Sequence, residues 1–335
     1  MREIRTGVIG AGGLGYHHVR ILRDLPGSKF AGFFEARTER AAQVAGELEV
    51  RAFESLDALL DVVDAVTIVV PTPAHHVVAQ QVLARGIHAL IEKPLAATLA
   101  EADAMLATAK EHGAIVQTGH VERFNRAIRA ALPYVDHPRF IESNRLAPFN
   151  PRGADVAVVL DLMIHDIDLV HTLVGGKASS VTAVGVPVLT PFVDIANARL
   201  AFDSGAVANI TASRVSRERM RKIRIFQQSG YLSLDLGAGN GEFFRLRGDE
   251  VDLAALAQGP LALEQFVERI PMEAEEGEPL RLEFESFLAA VRGEAPVAVS
   301  GEEGREALAV ALQIVADIER SLPSLAGRAK ARMGA

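Results

Sequence analysis

The chain has 335 residues, of which 49% are hydrophobic and 23% charged, with a net charge of −8 and no cysteine. That length predicts two domains of ordinary globular composition. The negative charge disfavours general affinity for nucleic acid or anionic membranes, and the missing cysteines exclude disulfides, thiolate zinc sites and a cysteine nucleophile.

Met1-Arg2-Glu3-Ile4 leads straight into a strand-like run, so no signal peptide is expected. The longest apolar stretch, residues 155–175, is broken by Asp161, His165, Asp166 and Asp168, which is incompatible with a membrane span. A cytoplasmic protein is the expectation.

In chain order, residues 4–9 read as a buried strand and 14–25 as the helix after it. A strand over 30–34 and a helix over 38–48 come next. The β-branched run Ala-Val-Thr-Ile-Val-Val at 65–70 is the clearest strand of all. Beyond it lie a helix over 74–85, a strand over 88–91, a helix ending at His112, and a strand over 115–118. Alternation at these lengths predicts a parallel, doubly wound sheet over residues 1–120. After residue 120 the rhythm changes. A helix over 122–131, a strand over 140–146 and a long helix over 156–173 precede a run of strands from 179 to 247. Helices over 279–292 and 301–322 close the pattern. Few helices among many strands predict an α+β domain over 121–325, with a mostly antiparallel open sheet and helices on one face. Residues 326–335 read as a tail.

The segment Gly10-Ala11-Gly12-Gly13-Leu14-Gly15 joins the first strand to the first helix. Gly10 allows the tight turn, Gly12 lets backbone approach a pyrophosphate, and Gly15 permits close helix–strand packing. The N–H groups at the helix start then face the phosphates. Glu35, at the end of the second strand, is placed to accept hydrogen bonds from the adenosine ribose hydroxyls. This is the fingerprint of a Rossmann dinucleotide-binding domain. Glu35 argues for NAD, while Arg37 beside it leaves NADP open, because an arginine there pairs a 2′-phosphate.

Pro71, Thr72 and His75 leave the third strand on the carboxyl rim where such sheets bind ligands, so they either line the nicotinamide or simply start a helix. Glu92-Lys93-Pro94 leaves the next strand on the same rim. In the second domain, Asp161, His165 and Asp168 sit at i, i+4 and i+7 of a very apolar helix and should share a face. A hydrogen-bonded core histidine is the plainer alternative. No second imidazole stands at helical spacing from His165, so no metal is expected.

Taken together, these motifs resemble the Gfo/Idh/MocA oxidoreductase family. The glycine loop, Glu92-Lys93-Pro94 and Asp161…His165 carry that resemblance, and it covers most of the chain. It implies that Lys93, Asp161 and His165 are the catalytic lysine, aspartate and histidine. It also implies pyridine-nucleotide-dependent chemistry at a sugar or cyclitol carbon, in dimers or tetramers. The segments Arg152–Asp155 and Ser213–Phe226 further resemble those of dehydrogenases acting on UDP-sugars, UDP-N-acetylglucosamine among them. The second segment concentrates Arg214, Arg217, Arg219, Arg221, Lys222 and Arg224 in an acidic chain. Arginines suit a diphosphate through bidentate charge-assisted bonds, so Arg152, Arg214 and Arg221 are candidate substrate contacts beside Lys93 and His165. Alternate basic residues on a strand also form plain solvated faces.

An imidazole ionises near ~6.5 and an ammonium near ~10.4, so His165 suits the role of base, Asp161 its orienter, and Lys93 a donor to the reacting oxygen. Lys93 as base stays open. Two other classes compete: a free cyclitol or aldose dehydrogenase, and a catalytically silent NAD(H) sensor.

Overall fold

The computed structural model describes residues 2–151, 153, 156–247 and 266–321. The chain divides into two compact units. The first holds Met1–Val121 together with Gly277–Ala309, and the second Glu122–Glu276 together with the residues from Val310 on.

In the first unit, five strands lie parallel in the order β2-β1-β3-β4-β5: β1 (Ile4–Ile9), β2 (Ser28–Phe34), β3 (Ala65–Ile68), β4 (His88–Glu92) and β5 (Val116–Gly119). Helices α1 (Gly13–Asp24), α2 (Thr38–Leu48), α3 (Leu56–Leu60), α4 (Thr72–Leu83) and α5 (Leu99–Glu111) connect them. Every residue of β3 is buried, as expected for a strand covered on both faces. Beyond β2 the sheet gains a rudimentary sixth position. Phe33 bridges Ala52 in parallel, with the Phe33 N–H donating to Arg51 O (3.0 Å) and the Phe53 N–H to Phe33 O (2.8 Å). The winding reverses on either side of β1, which sets the switch point of the sheet at the end of β1.

The short helix α3 is not apparent in the sequence, because five residues are too few to establish a period. The Ser55 side chain supports it by accepting the Ala58 N–H (3.2 Å).

Helix α8 (Pro279–Val291) joins this first unit, whereas a division at residue 120 assigns it to the second domain. The reason is packing. Phe284, Phe287 and Leu288 are buried in one cluster with Ile4, Val8, Val19, Leu22 and Phe33. Truncating either phenylalanine would cost about 3–5 kcal/mol.

The second unit is built on an eight-stranded sheet in the order β13-β12-β11-β10-β6-β9-β8-β7. Its strands are β6 (Phe140–Leu146), β7 (Ala178–Val186), β8 (Ile195–Phe202), β9 (Val207–Ser213), β10 (Met220–Gln227), β11 (Gly230–Asp235), β12 (Asn240–Leu246) and β13 (Val267–Met272). Only the β6–β9 pair is parallel. The strand β13 lies beyond the run read from sequence.

Alternation along the strands sends Ile141, Ser143, Ala208, Ile210, Ile223 and Ile225 to one buried face. Helices α6 (Arg126–Ala131) and α7 (Ile164–Val174) belong to this unit, α7 packing against β6 and β9. Helix α9 spans Gly301–Ser321. On the opposite face, Phe140, Phe226, Tyr231 and Phe244 stack in a ladder across β6, β10, β11 and β12, with successive centroids 5.7, 5.4 and 4.7 Å apart.

Candidate active site

The glycine loop comes directly after β1. Gly10 adopts φ +92°, and a Cβ there would stand 2.7 Å from Val69 O. Gly15 is tighter still, since an added Cβ would meet Gly10 O at 2.0 Å. Gly12 is different: the nearest atom to its notional Cβ is Arg37 Nη2, 3.8 Å away. Two glycines are therefore demanded by the protein's own packing, and the third leaves open space. The first turn of α1, which begins with Gly13 and Leu14, has neither an acidic residue nor a side-chain cap. Its N–H groups suit an anion, and the pyrophosphate of a dinucleotide fits both the cradle and the charge.

Glu35 closes the loop from the β2 side. Its Oε2 accepts the Ala11 N–H (2.9 Å), and its Oε1 accepts the Arg37 backbone N–H (3.1 Å) and Nε (2.9 Å). Burial alone would raise its pKa. The Arg37 guanidinium and the two backbone N–H groups outweigh that and hold the carboxyl below its usual range. Arg37 itself is largely exposed. Arg40, which belongs to no motif of the sequence, donates through Nε to Ala11 O (2.9 Å) and through Nη2 to Gly12 O (3.3 Å). Its only sequence signal is its place in the first turn of α2, close after Glu35.

On the carboxyl rim, Pro71 is exposed and Thr72 half-buried. His75 corrects the expectation that it lines a cofactor. It is 1% exposed, with Nδ1 3.0 Å from Pro94 O and Nε2 2.9 Å from Val70 O. Both ring nitrogens are thus engaged with backbone, and the imidazole ties the end of β3 to the segment after Lys93. Burial pushes its pKa down against the pull of those carbonyls.

Glu92 is likewise turned inward, 3.2 Å from Nε2 of the fully buried His18 on α1. Burial acts to raise its pKa. The His18 contact, the nearby Lys93 charge and the Lys93 N–H together bring it below the ordinary value. Lys93 is next on the rim, half-buried, with a cis peptide to Pro94.

In the second unit, Asp161 and His165 stand four residues apart and are both half-buried. The helix that carries them begins as a π turn, Val159–Met163, and continues as α7. The wider turn alters the register of Asp161 relative to α7. Asp168 is buried and takes a two-point bond from Arg123, Nε to Oδ2 at 2.8 Å and Nη2 to Oδ1 at 2.6 Å. Asp166 accepts Ser143 Oγ (2.8 Å) and Arg145 Nε (2.6 Å), and Arg145 Nη1 reaches Glu122 Oε1 (2.8 Å). Burial would lower the Arg145 pKa, but Asp166 and Glu122 more than offset that and raise it. This buried chain anchors α7 on β6.

The basic segment divides between two faces. Lys222 and Arg224 point to the open face beside Asp235 and Glu142 and form the solvated pairs of the plainer reading. Arg221 faces the other way, half-exposed and 3.5 Å from Glu122. Arg214 corrects the expectation of a substrate contact. It is 3% exposed and spends its guanidinium on Gly153 O and Val156 O (2.6 Å to the latter). Arg217 and Arg219 are exposed between β9 and β10. Arg152 lies outside the described residues. Among the described residues no group of three or more histidine or acidic side chains is placed to hold a metal, and no helix is long and apolar enough to cross a membrane.

Residues 4–120 match the model of the oxidoreductase family with an NAD-binding Rossmann fold, and residues 128–233 that of the GFO/IDH/MocA C-terminal domain. The UDP-N-acetylglucosamine 3-dehydrogenase of Acidithiobacillus ferrooxidans is 42% identical over 324 residues, covering 96% of this chain and 99% of the relative. A solved structure of that enzyme superposes with a TM-score of 0.86, covering 96% and 99% of the two chains. The scyllo-inositol 2-dehydrogenase (NAD(+)) of Bacillus subtilis is 32% identical over 239 residues, 64% of this chain and 68% of that one. With the glycine loop, Glu35 and the Glu92-Lys93-Pro94 rim in place, these matches make the chain an NAD-binding oxidoreductase of the Gfo/Idh/MocA family.

Proposed function

We propose that the protein oxidises a secondary hydroxyl of a UDP-sugar, the 3-hydroxyl of UDP-N-acetylglucosamine, to the ketone. The observation that carries this reading is the end-to-end match at 42% identity to an enzyme named for that reaction. The inositol dehydrogenase relative is less similar and matches a shorter share of the chain, which makes a free cyclitol the weaker reading. A silent sensor has no support of this kind.

The chemistry is divided among a few residues. The α1 N-terminus and Gly12 would hold the pyrophosphate, and Glu35 would take the adenosine ribose. A bound nicotinamide would supply the hydride acceptor for the carbinol carbon. His165 removes the hydroxyl proton, Asp161 fixes the imidazole and stabilises its cation, and Lys93 donates to the oxygen as it becomes a carbonyl. Arg221 is the remaining inward basic side chain of its strand with exposure enough to meet a diphosphate. A dimer or tetramer formed through the open face of the eight-stranded sheet, and a cytoplasmic location, belong to the same reading. The aromatic ladder and the exposed Val184 and Val186 support the oligomer.

The test is turnover with NAD, measured at the reduced-nicotinamide band. UDP-N-acetylglucosamine should be oxidised at least about tenfold more efficiently than scyllo- or myo-inositol, a gap of ~1.4 kcal/mol in transition-state binding. Preferred oxidation of an inositol would overturn the substrate.

A further inference from the structure

We propose that Arg214 is a positioning residue for Asp161, acting through the backbone of Gly153. The inference rests on the reading of Asp161 and His165 as a working pair.

Arg214 is buried at the end of β9, where a cation needs strong compensation. It finds this in two backbone carbonyls and the carboxylate of Asp194. Its guanidinium donates to Gly153 O and Val156 O, its backbone N–H donates to Asp194 O (2.9 Å), and its Nε lies 3.8 Å from Asp194 Oδ1. Asp194 is itself immobilised. Its Oδ2 accepts the N–H groups of Val188 (2.8 Å), Leu189 (2.6 Å) and Thr190 (2.8 Å), and its Oδ1 accepts the Thr190 hydroxyl (2.8 Å). The next residue back, Val193, accepts the Val158 N–H through its carbonyl (2.8 Å). The Arg214 fork is thus mounted on a rigid base.

What the fork holds is the wall beside Asp161. Gly153 adopts φ +82°, and a Cβ there would stand 2.7 Å from Asp161 Oδ2 and 3.0 Å from its Cγ. The bare backbone of Gly153 therefore lies flush against the carboxylate and limits where it can swing. The ion pair with buried Asp194 accounts for a cation at 214, and the two carbonyl bonds account for the planar guanidinium fork. Two bonds to carbonyls 61 and 58 residues away make sense as a device to fix that segment.

The experiment is a ¹³C/¹⁵N-histidine NMR titration of the full-length protein with saturating NAD, the His165 signal being assigned by its loss in His165→Gln. Asp161→Asn should lower the His165 midpoint by about one pH unit, the effect of removing a neighbouring opposite charge. Arg214→Gln and Gly153→Ala should each reproduce at least half of that shift. Arg214→Lys, which keeps the charge but loses the fork, should fall between Arg214→Gln and the unmodified protein. NAD affinity should stay unchanged throughout. Should Arg214→Gln fail to fold, Gly153→Ala and Arg214→Lys carry the same test. The unmodified midpoint in both Gly153→Ala and the Arg214 variants, alongside a displaced Asp161→Asn, would overturn the inference and leave the Asp161–His165 pair standing. An undisplaced Asp161→Asn would instead dismiss the pair, and the inference with it.

Discussion

Gly12→Ala and Gly15→Ala should separate a glycine kept for ligand from a glycine kept for fold. At Gly15 the new Cβ meets a backbone oxygen, Gly10 O, at 2.0 Å, and no rotamer can relieve it. Helix α1 must withdraw from the end of β1 to make room. Overpacking of this kind costs about 1–3 kcal/mol, against which alanine returns up to ~1 kcal/mol of helix propensity. The melting temperature should therefore fall by a few degrees. The first-turn N–H groups move with the helix, so the Kd for NAD should also rise, by about 10–100-fold. At Gly12 only Arg37 Nη2 approaches the new methyl, at 3.8 Å, and the backbone is extended rather than left-handed. Stability should stay within ~0.5 kcal/mol. The methyl would, however, occupy the approach to the pyrophosphate, raising the Kd for NAD at least about tenfold, or ~1.4 kcal/mol. Differential scanning fluorimetry of the apoprotein and calorimetric titration with NAD read the two quantities separately. Unimpaired NAD binding by Gly12→Ala would refute the assignment of that open space to the cofactor.

The same geometry sets other outcomes. Glu35→Ala should narrow the preference for NAD over NADP, because it removes the ribose acceptor and releases Arg37; kcat/KM with each cofactor measures it, and an unmodified protein that works equally well with NADP would defeat the premise. His165→Ala should lower kcat by about 10²–10⁴-fold and abolish the rising limb of its pH profile, with NAD affinity intact; if Lys93→Ala were inactive while this variant turned over normally, the base would be Lys93. Arg221→Ala should raise KM for UDP-N-acetylglucosamine and spare NAD binding, and an unchanged KM would return Arg221 to its pair with Glu122. Glu92 has a depressed pKa in the folded state, so its contribution to stability is present above the ordinary carboxylate range and is lost as pH falls through the folded value. The stability gap between the unmodified protein and Glu92→Gln should accordingly be widest near neutrality and close in acid. Circular-dichroism melts from about pH 7 down to about pH 3 would expose a constant gap as a contradiction.

Much of this protein is written in short-range pattern. The runs at 4–9, 38–48 and 140–146 reappear unchanged as β1, α2 and β6, because periodicity and turn residues act within a few positions. The glycine loop is legible for a similar reason, since its spacing marks a strand-to-helix turn whose steric demand at Gly15 comes from Gly10 itself. Tertiary structure alone decided where long polar side chains turn. Arg214 reads as a ligand contact from its basic neighbours, yet it is buried and its guanidinium donates to carbonyls some sixty residues away. His75 sits on the correct rim but is claimed by carbonyls of another strand's end. Asp168 reads as part of the Asp161–His165 stripe, yet it is buried and held by Arg123 from another element. Helix α8 comes after the second sheet in sequence but belongs to the first unit, because its phenylalanines complete that core. Local sequence determines which elements form; competition among distant partners for buried charge and apolar surface determines which way their side chains face.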